Sequence, residues 1–266
     1  MTPIRRHLTL ALAAAALLGG SAAVYAQGVL DKINQTKTVK IAVPTDYPPY
    51  GFVGLDLKPQ GLDVAMAELI AKQLGAKLEM VPVTSANRIP YLQTKQVDLV
   101  ISTLGKNPER LKVIDFTHAY SPFFQAVYAS KSLPVKSFDD LAGKTIAVAK
   151  GAMEEQELAK VGPASMQFKR YEDQAASTAA FVAGQTQVIA TSVSNAGLMM
   201  QKNPQLNAEY KLLIKDSPNF VGVAKGEDAL RSKVNDIILA AKKDGTLDAM
   251  SKKWLGRPAG DLPLSE

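Results

Sequence analysis

The stretch Val97-Asp98-Leu99-Val100-Ile101-Ser102-Thr103-Leu104-Gly105-Lys106-Asn107-Pro108-Glu109-Arg110 reads as a strand, a loop and the start of a helix. Residues 97–103 are rich in Val, Leu and Ile, as a buried strand is. Asn107 is a good N-cap, Pro108 suits the first helical position, and Glu109 favours the positive helix end. Arg110 therefore falls in the first turn of a helix that directly follows a strand. A guanidinium there can grip a carboxylate through two parallel hydrogen bonds. The amides near Gly105 and the hydroxyls of Ser102 and Thr103 can add donors. The competing reading of the same residues is a surface arginine paired with Asp115 or Glu109.

The alternation of strand and helix extends in both directions from this unit. Residues 39–43 and 77–83 read as strands. Residues 61–74 read as a helix, with Leu62, Met66, Leu69 and Ile70 at helical spacing and Gly75 as its stop. After an extended break at 121–130 comes a fresh series: strands at 145–149, 166–170 and 188–191, and helices at 154–161 and 172–183. An extended piece at 220–224 precedes two helices, 227–243 and 246–254. Such alternation predicts an α/β fold with parallel sheets. The simplest arrangement has two lobes joined by two extended crossings, near 124–129 and 216–221. Residues 39–124 and 219–258 would form the first lobe and 125–218 the second. Ligand sites in such sheets lie at the carboxyl ends of the strands, and a cleft between two lobes adds burial.

The N-terminus carries a basic opening at Arg5, Arg6 and His7, an apolar run over 8–18, and Val24-Tyr25-Ala26. This is the layout of a secretory signal, with cleavage expected after Ala26. The run is shorter than the roughly 20 residues that a membrane span needs. The sequence has no cysteine, which excludes a disulfide framework, a thiolate metal site and a lipid anchor on cysteine. The net charge is +6, or +4 once Arg5 and Arg6 are removed. The lysines are scattered and no basic stripe interleaves with aromatics, so nucleic acid is not an expected partner. No metal or cofactor site is read.

The order and spacing of several short motifs resemble the family 3 extracellular solute-binding proteins, the polar amino acid receptors of bacterial importers. These motifs are Tyr47-Pro48-Pro49-Tyr50, Gly61-Leu62-Asp63-Val64, Arg88-Ile89-Pro90-Tyr91-Leu92-Gln93, Val97-Asp98-Leu99-Val100, Asn107-Pro108-Glu109-Arg110 with Asp115-Phe116, Asp140-Leu141-Ala142-Gly143-Lys144, Asp244-Gly245-Thr246-Leu247 and Lys253-Trp254-Leu255-Gly256. The resemblance implies a two-lobe periplasmic binding protein fold of type II, the Venus flytrap, closing about its hinge crossings. It implies a monomeric periplasmic receptor without catalysis, which binds a small polar amino acid, acidic or amide, and presents it to the membrane permease of an ABC transporter. Arg110 would take the α-carboxylate, with Ser102, Thr103 and Gly105 beside it. Thr84-Ser85-Ala86-Asn87-Arg88 is similar to the version in receptors for acidic amino acids, where Ser85 and Arg88 would face the ligand. A structural salt bridge at Arg88 is the other reading. Tyr47 would form an aromatic wall, or else pack in the core beside two prolines.

In the second lobe, Ala152 and Met153 stand at a helix start where the family has hydroxyl side chains, so only backbone amides remain to meet an anion. Ser192 stands where the family usually carries an Asp that pairs with the ligand's α-ammonium. An uncompensated ammonium in a dry cleft is costly. Either Asp46, Glu154 or Glu155 replaces that carboxylate, or the ligand is a small organic acid without an α-amine. A periplasmic dehydratase acting on cyclic carboxylic acids, with Glu154 or Glu155 as general acid, is the enzyme alternative on the same fold.

Overall fold

The computed structural model describes residues 28–264. The signal-peptide reading of residues 1–26, with its cleavage after Ala26, lies outside the described residues. The chain opens with α1 (Val29–Thr36), β1 (Thr38–Val43), a small antiparallel sheet of β2 (Asp46–Tyr47), β3 (Gly51–Val53) and β4 (Pro59–Gln60), then α2 (Leu62–Gln73), β5 (Lys77–Pro82), α3 (Arg88–Gln93), β6 (Leu99–Val100), α4 (Pro108–Leu111) and β7 (Ile114–Ser121). A second series follows: β8 (Phe124–Ser130), β9 (Thr145–Ala149), α5 (Met153–Val161), β10 (Gln167–Tyr171), α6 (Gln174–Val182), β11 (Val188–Ser192), α7 (Val193–Lys202) and β12 (Ala208–Asp216). The chain then returns through β13 (Asn219–Ala224), α8 (Asp228–Lys243) and α9 (Thr246–Leu255).

Two five-stranded sheets form the two lobes, with strand orders β5-β1-β6-β13-β7 and β10-β9-β11-β8-β12. Each is parallel through its first three strands and antiparallel through its last two. The fully parallel sheets expected from the alternation are therefore mixed, because the strands that carry the chain between lobes enter each sheet in the opposite direction. The fold is the type II binding-protein architecture with two extended crossings. The first crossing is short. Residues 124–130 are all β8, so only Pro122 and Phe123 lie between the sheets. The second is Ser217 and Pro218, and the Ser217 amide donates to the Phe123 carbonyl at 2.9 Å, tying the crossings together.

Each lobe has its own apolar core. In the first, Ile41, Val100, Ile70 and Ile238 are among the fully covered residues. In the second, α5 covers one face of the sheet with Leu158, and α6 and α7 cover the other with Phe181, Ala196 and Met199. Trp254 of α9 packs edge-on against Phe52 at 6.1 Å in a cluster with Tyr50 and Leu62, so the C-terminal helix is anchored to the first lobe.

The strand expected over 97–103 is observed only at Leu99–Val100. Thr103 takes a left-handed conformation, φ 43°, and its amide donates to the buried Asp63 carboxylate at 2.7 Å. That bond turns the chain out of the sheet and into the loop that carries Gly105.

Candidate functional site

The carboxyl ends of β1 and β6 in the first lobe face the carboxyl ends of β9 and β11 in the second. Arg110 reaches this cleft from the short α4. Asn107 caps that helix as its composition predicts, its Oδ1 accepting from the Arg110 amide at 2.9 Å, with Pro108 at the first position. The Arg110 guanidinium is 4% exposed. It donates to the Gly105 carbonyl at 2.9 Å and, across the cleft, to the Gly151 carbonyl at 3.1 Å. Its Nε–H has no partner among the described residues, which leaves part of the planar donor fork unused. Asp115 pairs with Lys225 at 2.6 Å, so the surface pairing with Arg110 is not formed.

Arg88 lies deeper, at 1% exposure. It donates to the Ser102 carbonyl and, at 3.4 Å, to both the carbonyl and the hydroxyl of Thr103, while its Nε–H also lacks a partner among the described residues. Ser102 and Thr103 thus serve as acceptors that hold Arg88, and the Thr103 amide is taken by Asp63. Burial pulls the Arg88 pKa down, and Glu154 and Asp63 oppose that shift. Burial, then the Arg88 charge, lowers the Arg110 pKa to about 9, with Glu154 acting against both. Two cations and a facing carboxylate therefore share one buried space.

That carboxylate is Glu154, in the first turn of α5 and 2% exposed. Burial raises its pKa, while its own backbone amide, Arg88, the Tyr47 hydroxyl and Arg110 hold it down in that order. Tyr47 donates to Glu154 at 3.3 Å, lies 3.2 Å from the Thr191 hydroxyl, and accepts from the Ser192 amide at 2.9 Å. Its ring packs 5.4 Å from Tyr50 and 6.5 Å from Phe123. The ring therefore sits in an aromatic cluster, as the packing reading of Tyr47 has it, and the hydroxyl spans the cleft.

The other two candidate carboxylates are engaged elsewhere. Asp46 accepts from the Gln174 amide at the start of α6 at 2.7 Å. Glu155 accepts from the Gly151 amide at 2.8 Å and pairs with Arg170. At the α5 start, the Ala152 amide bonds to the Ala149 carbonyl at 3.1 Å, so Gly151, Ala152 and Glu154 all have partners for their amides. The open row of backbone donors expected around Ala152 and Met153 is reduced because acidic side chains of the same helix turn occupy it. The Met153 side chain instead sits over Gly105, where an added Cβ would lie 2.6 Å from its Cε. Ser85 brings its backbone against Gly151, whose φ of 74° and close approach to Ser85 and Ala86 both demand glycine. Ser192 uses its hydroxyl to cap α7, accepting from the Asn195 amide at 3.1 Å.

The lobes are thus in contact. Tyr47–Ser192, Asp46–Gln174, Arg110–Gly151 and Asn107–Gln156 (2.8 Å) are all hydrogen bonds between them. Sequence reasoning used Asp63 only as part of a motif. The structure makes it the support of the site: fully buried, it accepts from Thr103 and, at 2.8 Å, from the Tyr120 hydroxyl. A signal was available, since a charge stands beside Leu62 and near Met66 on the apolar face of a helix.

Burial raises the Asp63 pKa from 3.8 to about 6. A carboxyl whose folded pKa lies above its unfolded value favours the folded state at low pH, and that contribution is lost as pH rises through the folded pKa. The stability of the wild type relative to Asp63→Asn is therefore expected to fall by about 2 kcal/mol between pH 4 and pH 7. Urea unfolding of both proteins across that range checks it, and a pH-independent difference would exclude the buried, ionising Asp63.

A two-lobed α/β fold, with two buried arginines and an aromatic hydroxyl facing a buried carboxylate across its cleft, is the arrangement of a solute-binding protein. Comparison with known proteins agrees. The chain belongs to the bacterial extracellular solute-binding proteins, family 3, whose sequence profile matches residues 39–257. It is 29% identical over 255 residues to the L-cystine-binding protein TcyJ of Escherichia coli (strain K12), covering 95% of this chain and 96% of that protein. It is 30% identical over 203 residues to the ABC transporter glutamine-binding protein GlnH of Bacillus subtilis (strain 168), covering 74% and 72%. Among solved structures, an ancestral arginine-binding protein bound to arginine superposes with a TM-score of 0.78 at 31% identity, covering 83% of this chain and 99% of that one.

Proposed function

We propose that this protein is the periplasmic receptor of an ABC importer for a small zwitterionic amino acid with an acidic or amide side chain. The observation that carries the reading is the Glu154 carboxylate, buried at the start of α5 and bonded to Tyr47 across the same cleft that Arg110 spans. An amino acid main chain is the complement of that pair: its carboxylate matches Arg110 and its ammonium matches Glu154. An organic acid without an amine would set a second anion against Glu154, which is costly where water is excluded. Glu154 then takes over from the strand-end Asp that Ser192 replaces, while Asp46 and Glu155 are spent on their own partners.

The side-chain preference follows from Arg88. A ligand carboxylate or amide reaching toward Ser85 and Arg88 meets an unused donor, whereas a lysine or arginine side chain meets a second cation. Relatives whose names specify cystine, glutamine and arginine show that similarity at this level does not choose between ligands, so the charges of the cleft must. In this reading, 39–121 with 219–258 form one lobe and 124–216 the other, joined by 122–123 and 217–218, and the ligand favours the closed state by touching both. The closed monomer docks on the permease, and the mature chain begins after Ala26.

A thermal-shift screen against the amino acids and their des-amino acids tests this. Glutamate, aspartate, glutamine or asparagine is expected to give the largest shift. A ligand at 100 times its Kd adds about 2.7 kcal/mol of stability. Lysine or arginine at the head of the ranking would overturn the side-chain preference. A raised carboxyl at Glu154 is also what a dehydratase needs as proton donor. Incubation with prephenate is therefore included as a control, and its absorbance is expected to stay unchanged.

A further inference from the structure

Gln125 is the second residue of β8, immediately after the first crossing, and is 0% exposed. Both its Nε2 and its Oε1 lack a hydrogen-bond partner among the described residues. A buried amide with neither end satisfied is costly, and native proteins rarely keep one without a use. Its direction follows from strand alternation. Val127 and Ala129 pack with Leu158 of α5, whereas Ala126 and Tyr128 pack with Phe181 and Ala196 on the opposite face. Gln125 therefore shares the α5 face, at the end of β8 that meets the cleft. In register it stands directly opposite Ser192, the position where the family resemblance places the missing carboxylate. The helix that covers this face begins with Met153 and Glu154.

We propose that Gln125, together with Glu154, forms the subsite for the ligand's α-amino group, with the Gln125 carboxamide spanning the amino acid main chain. Oε1 accepts from the ammonium, and Nε2 donates to the neighbouring carboxylate, which has lone pairs to spare beyond those facing Arg110. An α-amino acid offers that donor and acceptor on adjacent carbons, at a spacing close to that of the two amide atoms. A dicarboxylic acid offers only acceptors and would leave Oε1 unsatisfied. The inference rests on the amino acid reading above and assigns the discrimination between an amino acid and its des-amino analogue to a residue of the hinge strand.

The test is calorimetry on the mature protein with two probe pairs, L-glutamate against glutarate and L-aspartate against succinate. The wild type is expected to prefer the amino acid in at least one pair. Gln125→Met, similar in shape and without polar atoms, is expected to lower that preference about tenfold, the loss of roughly one hydrogen bond to a charged group. Gln125→Glu, which keeps an acceptor for the ammonium, is expected to retain it. The ligand-free melting temperature of Gln125→Met should be at or above that of the wild type, because an unpaired amide has been removed. A purely structural role predicts the opposite. Gln125→Leu repeats the comparison should the methionine variant not fold. If Gln125→Met discriminates as the wild type does while Arg110→Ala still weakens binding, the Gln125 assignment alone falls. If neither of these amino acids nor glutamine or asparagine binds, or if the dicarboxylates bind as well as the amino acids do, the amino acid reading falls with it.

Discussion

Arg110→Ala is expected to weaken ligand binding at least tenfold in a protein that still folds. The guanidinium is held from the first lobe by the Gly105 carbonyl and from the second by the Gly151 carbonyl, with Nε–H unpartnered. Removing it deletes a charge-assisted contact worth about 1.5–3 kcal/mol, tenfold or more in Kd. It also deletes one bond between the lobes, so the closed state is less favoured even before ligand arrives. Arg110→Lys separates the two effects. The ammonium keeps the charge and loses the planar fork, so recovery of only part of the affinity is expected. Titration calorimetry reads both variants. Unchanged affinity in a folded Arg110→Ala would remove the carboxylate role from this residue.

Arg88→Ala is expected to act on stability as well as on binding. The side chain is almost wholly covered and satisfies carbonyls at Ser102 and Thr103. It is also the leading favourable charge near Glu154 and a countercharge to Asp63. Its loss leaves two buried carboxylates with less compensation, at a cost of about 3–5 kcal/mol. The surface salt bridge raised as one reading of Arg88 would have cost a small fraction of that. In urea the midpoint should fall clearly, and the surviving folded protein should lose its preference for acidic and amide ligands. An unchanged midpoint would place Arg88 outside the supporting network. An unchanged ligand ranking would remove it from the specificity side.

The fold was largely legible because its signals are local. Asn107-Pro108 starts α4 where the capping rules place it, and Leu62, Met66 and Ile70 mark the buried side of α2. The element series of the second lobe follows the strand and helix periods read from 145–191. What was not legible depends on the other lobe. Helix α7 and strand β12 went unassigned, the first because its polar start is buried only by contact with β11 and β8, the second because two bulges interrupt its alternation. The crossing was placed in what is β8, since nothing in Phe124 to Ser130 distinguishes an isolated extended segment from a paired one.

The site divides the same way. Arg110, Arg88 and Tyr47 carry motifs and could be read singly. Choosing Glu154 among three candidate carboxylates required the partners of Asp46 and Glu155, which lie 128 and 15 residues away in sequence. Asp63 and Gln125 are conspicuous only once their burial is known, because an Asp in a helix and a Gln in a strand are ordinary until water is excluded from both.

The most direct test of the central claim is a calorimetric titration of the mature wild-type protein with L-glutamate, L-glutamine, L-arginine and glutarate. One-to-one binding is predicted, tightest for glutamate or glutamine, with arginine and glutarate both weaker because the first brings a cation to Arg88 and the second an anion to Glu154. Arginine or glutarate binding more tightly than either glutamate or glutamine would contradict the account.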